Sequence, residues 1–328
     1  MTRSSRLATV GLLLLALGPA RGKAQDSVPP RRGHHALEYD QGSRRVLLTG
    51  GSTPLEGGTR FAFFNDLWAF DGTRWTPLPV SGASMSGMRL AYDSRHGRML
   101  SFGGYDGRGS RGELRGLGAT AWEELGRHPE VVAAEPGFVY DGGANRLVLF
   151  GGSAGRGQAK GDTWILTGGS WRKLAGQSPP ARQGQVMVYD EKRNRTVLFG
   201  GMGSGPPGQR PPLLGDLWEL DGERWSQREV AGGPGARSEV GAAYDSKRGL
   251  VILFGGAGET GFFGDTWSYD GSAWRKLADT GPEPRGMGYL AYDRARDRVV
   301  LFGGRKGWPD GDLNDTWEWD GQTWRRVP

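Results

Sequence analysis

The chain has 328 residues, 42 of them basic and 36 acidic, for a formal net charge of +6, and it contains no cysteine. The missing thiols exclude a disulfide scaffold, a thiolate metal site and a thiol nucleophile together. Beyond the first two dozen residues no apolar run approaches the length needed to cross a bilayer as a helix.

At the N-terminus, Arg3 and Arg6 precede an apolar segment from Leu7 to Leu17 that ends in small residues. This reads as a secretory signal peptide over residues 1–24, with Gly22 and Ala24 at the cleavage site. Its removal takes away Arg3, Arg6, Arg21 and Lys23 and no acid, leaving 38 bases against 36 acids, a net charge of +2. The remaining basic residues are scattered, so a nucleic-acid partner is not indicated. A periplasmic or extracellular monomer without a membrane span is the expectation.

From residue 31 onward the chain repeats itself. Glycine pairs stand at Gly50-Gly51, Gly103-Gly104, Gly151-Gly152, Gly200-Gly201, Gly255-Gly256 and Gly303-Gly304, and a Tyr-Asp begins 11 residues before each of them. That constant interval predicts a hairpin of fixed length. Five units then carry two tryptophans seven apart: Trp68/Trp75, Trp164/Trp171, Trp218/Trp225, Trp267/Trp274 and Trp317/Trp324. The second unit keeps only Trp122. Each unit reads as four short strands; in the fourth they are 184–189, 196–199, 216–220 and 224–228, with Asp221-Gly222 as a tight turn. Six such sheets, each needing cover on both faces, predict an all-β, six-bladed propeller of four-stranded antiparallel meanders. The blades fall near 31–79, 80–126, 127–175, 176–230, 231–278 and 279–328, within one domain over 25–328.

The Gly-Gly pair closing a strand and the later tryptophan resemble the Kelch repeat, in the bacterial exported form with Asp-Thr-Trp or Asp-Leu-Trp in the third strand. The resemblance covers residues 31 to 328. It implies that the first strand of each unit lines a central channel. Galactose oxidase, which has a Kelch-type propeller, relies on a cysteine-linked tyrosine and copper, and this chain has no cysteine. Kelch sialic acid mutarotases of the periplasm offer an enzymatic alternative, in which arginines would hold a carboxylate and Glu135 or Glu239 would move protons.

A group found in every blade is read as scaffold, because packing is needed six times and chemistry once. The paired tryptophans are therefore core residues, and the Asp two residues before the first of them caps local backbone. Arg32, Arg182, Arg237 and Arg285, each seven residues before the tyrosine, are open to two readings: braces between blades, or a cluster gripping an anionic ligand. The inner-strand starts differ between blades, with His34, Arg89, Glu135, Gln183, Glu239 and Tyr289 as candidate channel-mouth residues. No metal and no cofactor are assigned. Insertions concentrate between the glycine pair and the third strand, and these loops carry Phe61, Phe63, Tyr105, Phe262 and Trp308. Such aromatics suit a glycan or protein partner bound on the loop-rich face by a non-catalytic module.

Overall fold

A computed structural model describes residues 28–328 apart from 83, 129, 156, 157, 207, 208, 309 and 310. The segment read as a signal peptide lies outside the described residues. Six four-stranded antiparallel sheets form a ring, a six-bladed β-propeller, and no helix occurs among the described residues. Five of the sheets are built from four consecutive strands, and in the fourth blade these are Val186–Asp190, Arg195–Phe199, Leu217–Asp221 and Arg224–Arg228; in the first blade a separate two-stranded hairpin, Ser52–Pro54 with Phe61–Phe63, intervenes between the second and third strands. The inner strand starts two residues later than the sequence suggests because Gly184 adopts a left-handed φ of 63° and belongs to the turn before it.

The remaining inner strands are Ala36–Asp40, Arg89–Asp93, Gly137–Asp141, Gly241–Asp245 and Tyr289–Asp293. Every one pairs with its second strand in the same register, with the tyrosine five residues from the end of the hairpin turn. The constant 11-residue interval in sequence is this register.

Blades adhere through one recurring contact. Five of the six glycine pairs follow a Phe, which packs on the second tryptophan of the next blade: Phe302 on Trp75 at 5.2 Å, Phe102 on Trp171 at 5.8 Å, Phe150 on Trp225 at 5.7 Å, Phe199 on Trp274 at 5.2 Å and Phe254 on Trp324 at 5.2 Å; the first pair follows Thr49. In three of these junctions the indole also donates to a threonine hydroxyl of the preceding blade, Trp75 to Thr316, Trp225 to Thr163 and Trp324 to Thr266. The sixth blade meets the first by the same Phe–Trp and Trp–Thr contacts as the third meets the fourth and the fifth meets the sixth, and each sheet is drawn from one stretch of chain, so the ring closes without strand exchange.

Across the first hairpin the Tyr-Asp aspartate faces an arginine in five blades: Arg45, Arg98, Arg146, Arg195 and Arg298. Only Arg146 and Asp141 form a close buried pair, at 2.8 Å. Asp190, Asp245 and Asp293 turn inward instead, almost wholly buried, and accept from the backbone of their own turns and from Arg193, Arg248 and Arg296. A carboxylate at the end of a strand caps the turn's N–H groups, and burial favours that local solution.

Candidate functional site

The four arginines resolve first. Arg32, Arg182, Arg237 and Arg285 are buried, and each holds an Asp of its own blade with both terminal nitrogens: Asp66, Asp216, Asp265 and Asp315, at 2.5–3.2 Å. A terminal nitrogen also donates to the carbonyl of the first paired glycine, and Nε donates to a carbonyl two residues back. Nearly every donor is used inside the protein, so these residues do not converge on a ligand. The aspartates are corrected with them. Rather than capping backbone, each accepts from its arginine and from the indole two residues on, Trp68, Trp218, Trp267 or Trp317. Burial opposes ionisation of these carboxyls, but the arginine outweighs it and holds them below the usual range. Asp162 of the third blade, which has no such arginine, pairs with Lys173.

At the channel mouth, one position per blade, five residues before the tyrosine, builds a ring: His34, Gly87, Glu135, Gly184, Glu239 and Met287. All six have left-handed φ between 55° and 68°. Each N–H donates to the carbonyl of the previous member, from Gly87 to His34 at 2.8 Å around to His34 to Met287 at 3.2 Å. The φ signs are costly for the four residues with side chains, and such strain collects where a site demands it.

The ring also decides where side chains go. A Cβ on Gly87 would lie 2.8 Å from Cγ of Glu135, and one on Gly184 would lie 2.5 Å from a carboxylate oxygen of Glu239. The two glycines thus make room for the two acids, which close on His34. Its Nδ1 is 2.9 Å from Glu135 and its Nε2 is 3.9 Å from Glu239. Glu239 accepts from the Tyr289 hydroxyl at 3.2 Å, and Arg89 stacks over the Tyr289 ring at 4.6 Å while donating to the carbonyl of Pro136. Five of the sequence candidates, His34, Arg89, Glu135, Glu239 and Tyr289, therefore do meet.

The electrostatics of the cluster divide its acids. Burial and then the neighbouring Glu135 push the Glu239 carboxyl up to about 7. Burial also opposes ionisation of Glu135, yet His34 beside it wins and holds that carboxyl well below the usual range. The two glutamates raise the His34 imidazole against the effect of burial. Near neutral pH the cluster can keep one proton on Glu239 next to an ionised Glu135.

Two cavities flank the ring. On the loop-rich face a cup of about 520 Å³ has His34, Glu135 and Met287 in its floor and Phe61, Phe63, Tyr105 and Trp308 in its wall. Phe61 lies 5.7 Å from Trp308 and Phe63 lies 6.1 Å from Tyr105. Gln183 and Arg305 line the cup as well, with Ser52, Ser86, Ser110 and Ser153, serines that the sequence reading passed over. Phe262 does not reach it; the ring rests on Gly286. Beyond the ring, a channel of about 590 Å³ carries Arg89, Tyr289, Gln185 and Glu38, and Arg294 and Glu191 pair near its other end.

The signal that would have found the ring is alignment on Tyr minus five, which alternates large residues with glycine through the first five blades. The serines were legible too, since Ser52 and Ser153 directly follow glycine pairs.

Comparison with known proteins gives similarity to two curated plant proteins. Adagio-like protein 3 of Oryza sativa subsp. japonica is 30% identical over 207 residues, and Adagio-like protein 1 of the same organism 28% over 208. Each match covers 58% of this chain and 31% of the relative, so the chain spans about a third of the proteins it matches. No family model matches. The Kelch-type reading holds at the level of the six-bladed fold and of this similarity. A propeller of this kind fits a binding module in general.

Proposed function

We propose that this protein is an exported, monomeric binding module that takes a glycan in the cup on its loop-rich face. The observation that carries this reading is the pairing of Phe61 with Trp308 and Phe63 with Tyr105 around a polar floor of serines, Gln183 and Glu135. Sugar rings offer apolar faces to aromatic planes and hydroxyls to polar side chains, and a cup of about 520 Å³ lies within the usual range of ligand sites. Trp308 is 59% exposed, and an exposed tryptophan beside other aromatics is characteristic of an interaction surface. Export rests on Arg3, Arg6 and the apolar Leu7 to Leu17, and N-terminal sequencing of the protein recovered from fractionated cells tests it.

The binding test is a glycan array probed with wild type and with Phe63→Ala, Trp308→Ala. Selective wild-type binding lost in the double variant supports the cup as the glycan site. An empty array together with capture of a defined protein ligand sensitive to the same variant would replace the glycan by a protein. The mutarotase alternative keeps Glu135 and Glu239 but has no free arginine among the four it needs, since Asp66, Asp216, Asp265 and Asp315 hold them. Unchanged anomer interconversion of sialic acid, followed by NMR, is the expected outcome.

A further inference from the structure

The histidine and two glutamates beneath the cup come from three alternate blades, and their ligand-type atoms all lie within 4.8 Å of one another. Three features of this cluster point beyond a buried hydrogen-bond network. His34 Nε2 is buried and has no hydrogen-bond partner among the described residues. Its Nδ1 faces Glu135 at 2.9 Å, so an Nδ1–H donated there leaves the Nε2 lone pair directed toward Glu239. The 3.9 Å from Nε2 to the Glu239 oxygen is too long for a hydrogen bond, yet one ion with bonds of ~2.0–2.2 Å reaches both with a small side-chain adjustment.

The charge also lacks compensation. No Lys or Arg lies in ion-pair contact with Glu135 or Glu239 among the described residues. Arg89 is occupied by the carbonyls of Pro136 and Met88 and by the Tyr289 ring, and Arg305 is held by Asp312 at 2.5 Å. Two carboxylates facing one imidazole at the partly exposed floor of the cup leave a deficit of positive charge, which a proton or a metal ion fills.

We propose that His34, Glu135 and Glu239 form a binding site for one divalent transition-metal ion, open on its remaining side to the cup. The donor set of one imidazole nitrogen and carboxylate oxygens suits Zn²⁺, Co²⁺ or Mn²⁺ over Mg²⁺ or Ca²⁺, which prefer all-oxygen shells. His34 supplies Nε2 and Glu239 an oxygen, while Glu135 orients the imidazole through Nδ1–H as an outer-shell carboxylate, the arrangement by which carboxylates fix metal-binding histidines. Gly87 and Gly184 are part of the site, because a side chain at either would displace Glu135 or Glu239. Where Glu239 carries a proton, the ion displaces it and that proton passes to the buffer. The site stands whether or not the cup takes a glycan.

The test uses the full-length protein, stripped with a chelator and titrated calorimetrically with Zn²⁺, Co²⁺, Mn²⁺, Mg²⁺ and Ca²⁺. One Zn²⁺ per chain is expected, tighter than Mg²⁺ or Ca²⁺, with heats that depend on the ionisation enthalpy of the buffer. Co²⁺ should develop visible absorption, and the His34 imidazole resonances should shift on Zn²⁺ addition. His34→Asn, chosen because Asn tolerates the left-handed backbone, and Glu239→Gln should each weaken Zn²⁺ roughly 10- to 100-fold. His96→Ala, at an exposed histidine paired with Asp93 away from the cluster, should leave it unchanged. Absence of stoichiometric Zn²⁺ binding overturns the site, as does wild-type affinity in Glu239→Gln or loss of binding in His96→Ala. If His34→Asn does not fold, the Co²⁺ spectrum and the imidazole shifts of the wild type decide the matter, and unshifted His34 resonances count against it.

Discussion

Arg32 and Asp66, 34 residues apart in the chain, meet with two parallel hydrogen bonds of 2.6 and 2.7 Å, and the guanidinium is fully buried. The same residue reaches backward with its main chain: Gly304 N–H donates to the Arg32 carbonyl, and Arg32 N–H donates to that of Leu313. One arginine therefore fastens the sixth blade through its backbone and the first through its side chain. Arg182, Arg237 and Arg285 repeat the arrangement at three other junctions.

Arg182→Ala is expected to destabilise the fold by about 3 kcal/mol, because it removes a fully buried guanidinium and leaves the partly exposed Asp216 without its charge partner. Arg182→Lys should recover little of this, since an ammonium cannot reproduce the fork that serves Asp216 and the Gly200 carbonyl together. Chemical denaturation of the two variants measures it. Ligand affinity per folded molecule should stay the same.

Trp225→Phe removes the hydrogen bond to Thr163 while keeping an aromatic ring against Phe150, and should cost about 1 kcal/mol. Trp225→Ala, which opens the junction between the third and fourth blades, should cost about 3–5 kcal/mol. Equal losses in the two variants would show that the hydrogen bond rather than the packing holds this junction.

The fold was readable because its signals repeat: the glycine pair, the Tyr-Asp and the tryptophans recur at spacings that only a fixed hairpin register produces. The site was half readable. His34, Glu135 and Glu239 stood out as polar residues where strands begin, but what joins them is the left-handed ring and the bare space over Gly87 and Gly184, neither of which residue type alone reveals. The arginines stayed open between two readings for the opposite reason. Arg182 could be seen to recur, whereas its partner Asp216 lies 34 residues on, and only tertiary folding brings them together.

Glu38, in the channel beyond the ring, has its carboxyl pushed up to about 7 by burial, against the opposing effect of the Tyr39 N–H and Arg294. Below about 4.5, its ordinary value, the group is protonated in folded and unfolded chains alike. Between there and about 7 only the folded chain keeps the proton, so this contribution to stability is lost as pH rises through that window. Glu38→Gln should therefore raise Tm relative to wild type at pH 8 and leave it nearly unchanged at pH 4, in thermal scans at matched ionic strength.

Gly184→Ala should destabilise by roughly 1–2 kcal/mol from the left-handed backbone alone. Because the new methyl would meet a Glu239 oxygen at 2.5 Å, it should also reduce Zn²⁺ affinity. Gly222→Ala, at a left-handed turn glycine with open space around it, controls for the backbone cost without touching the cluster.

The six hydrogen bonds of the ring all run in one rotational sense, each residue donating its N–H to one neighbour and accepting from the other through its C=O. Such a circuit has no first or last member, so none of its groups is left unpaired. Opening any single link turns the circuit into an open chain with two bare ends in a buried setting. The six blades are thereby coupled into an all-or-none closure, and a five-blade intermediate lacks what the complete circle supplies.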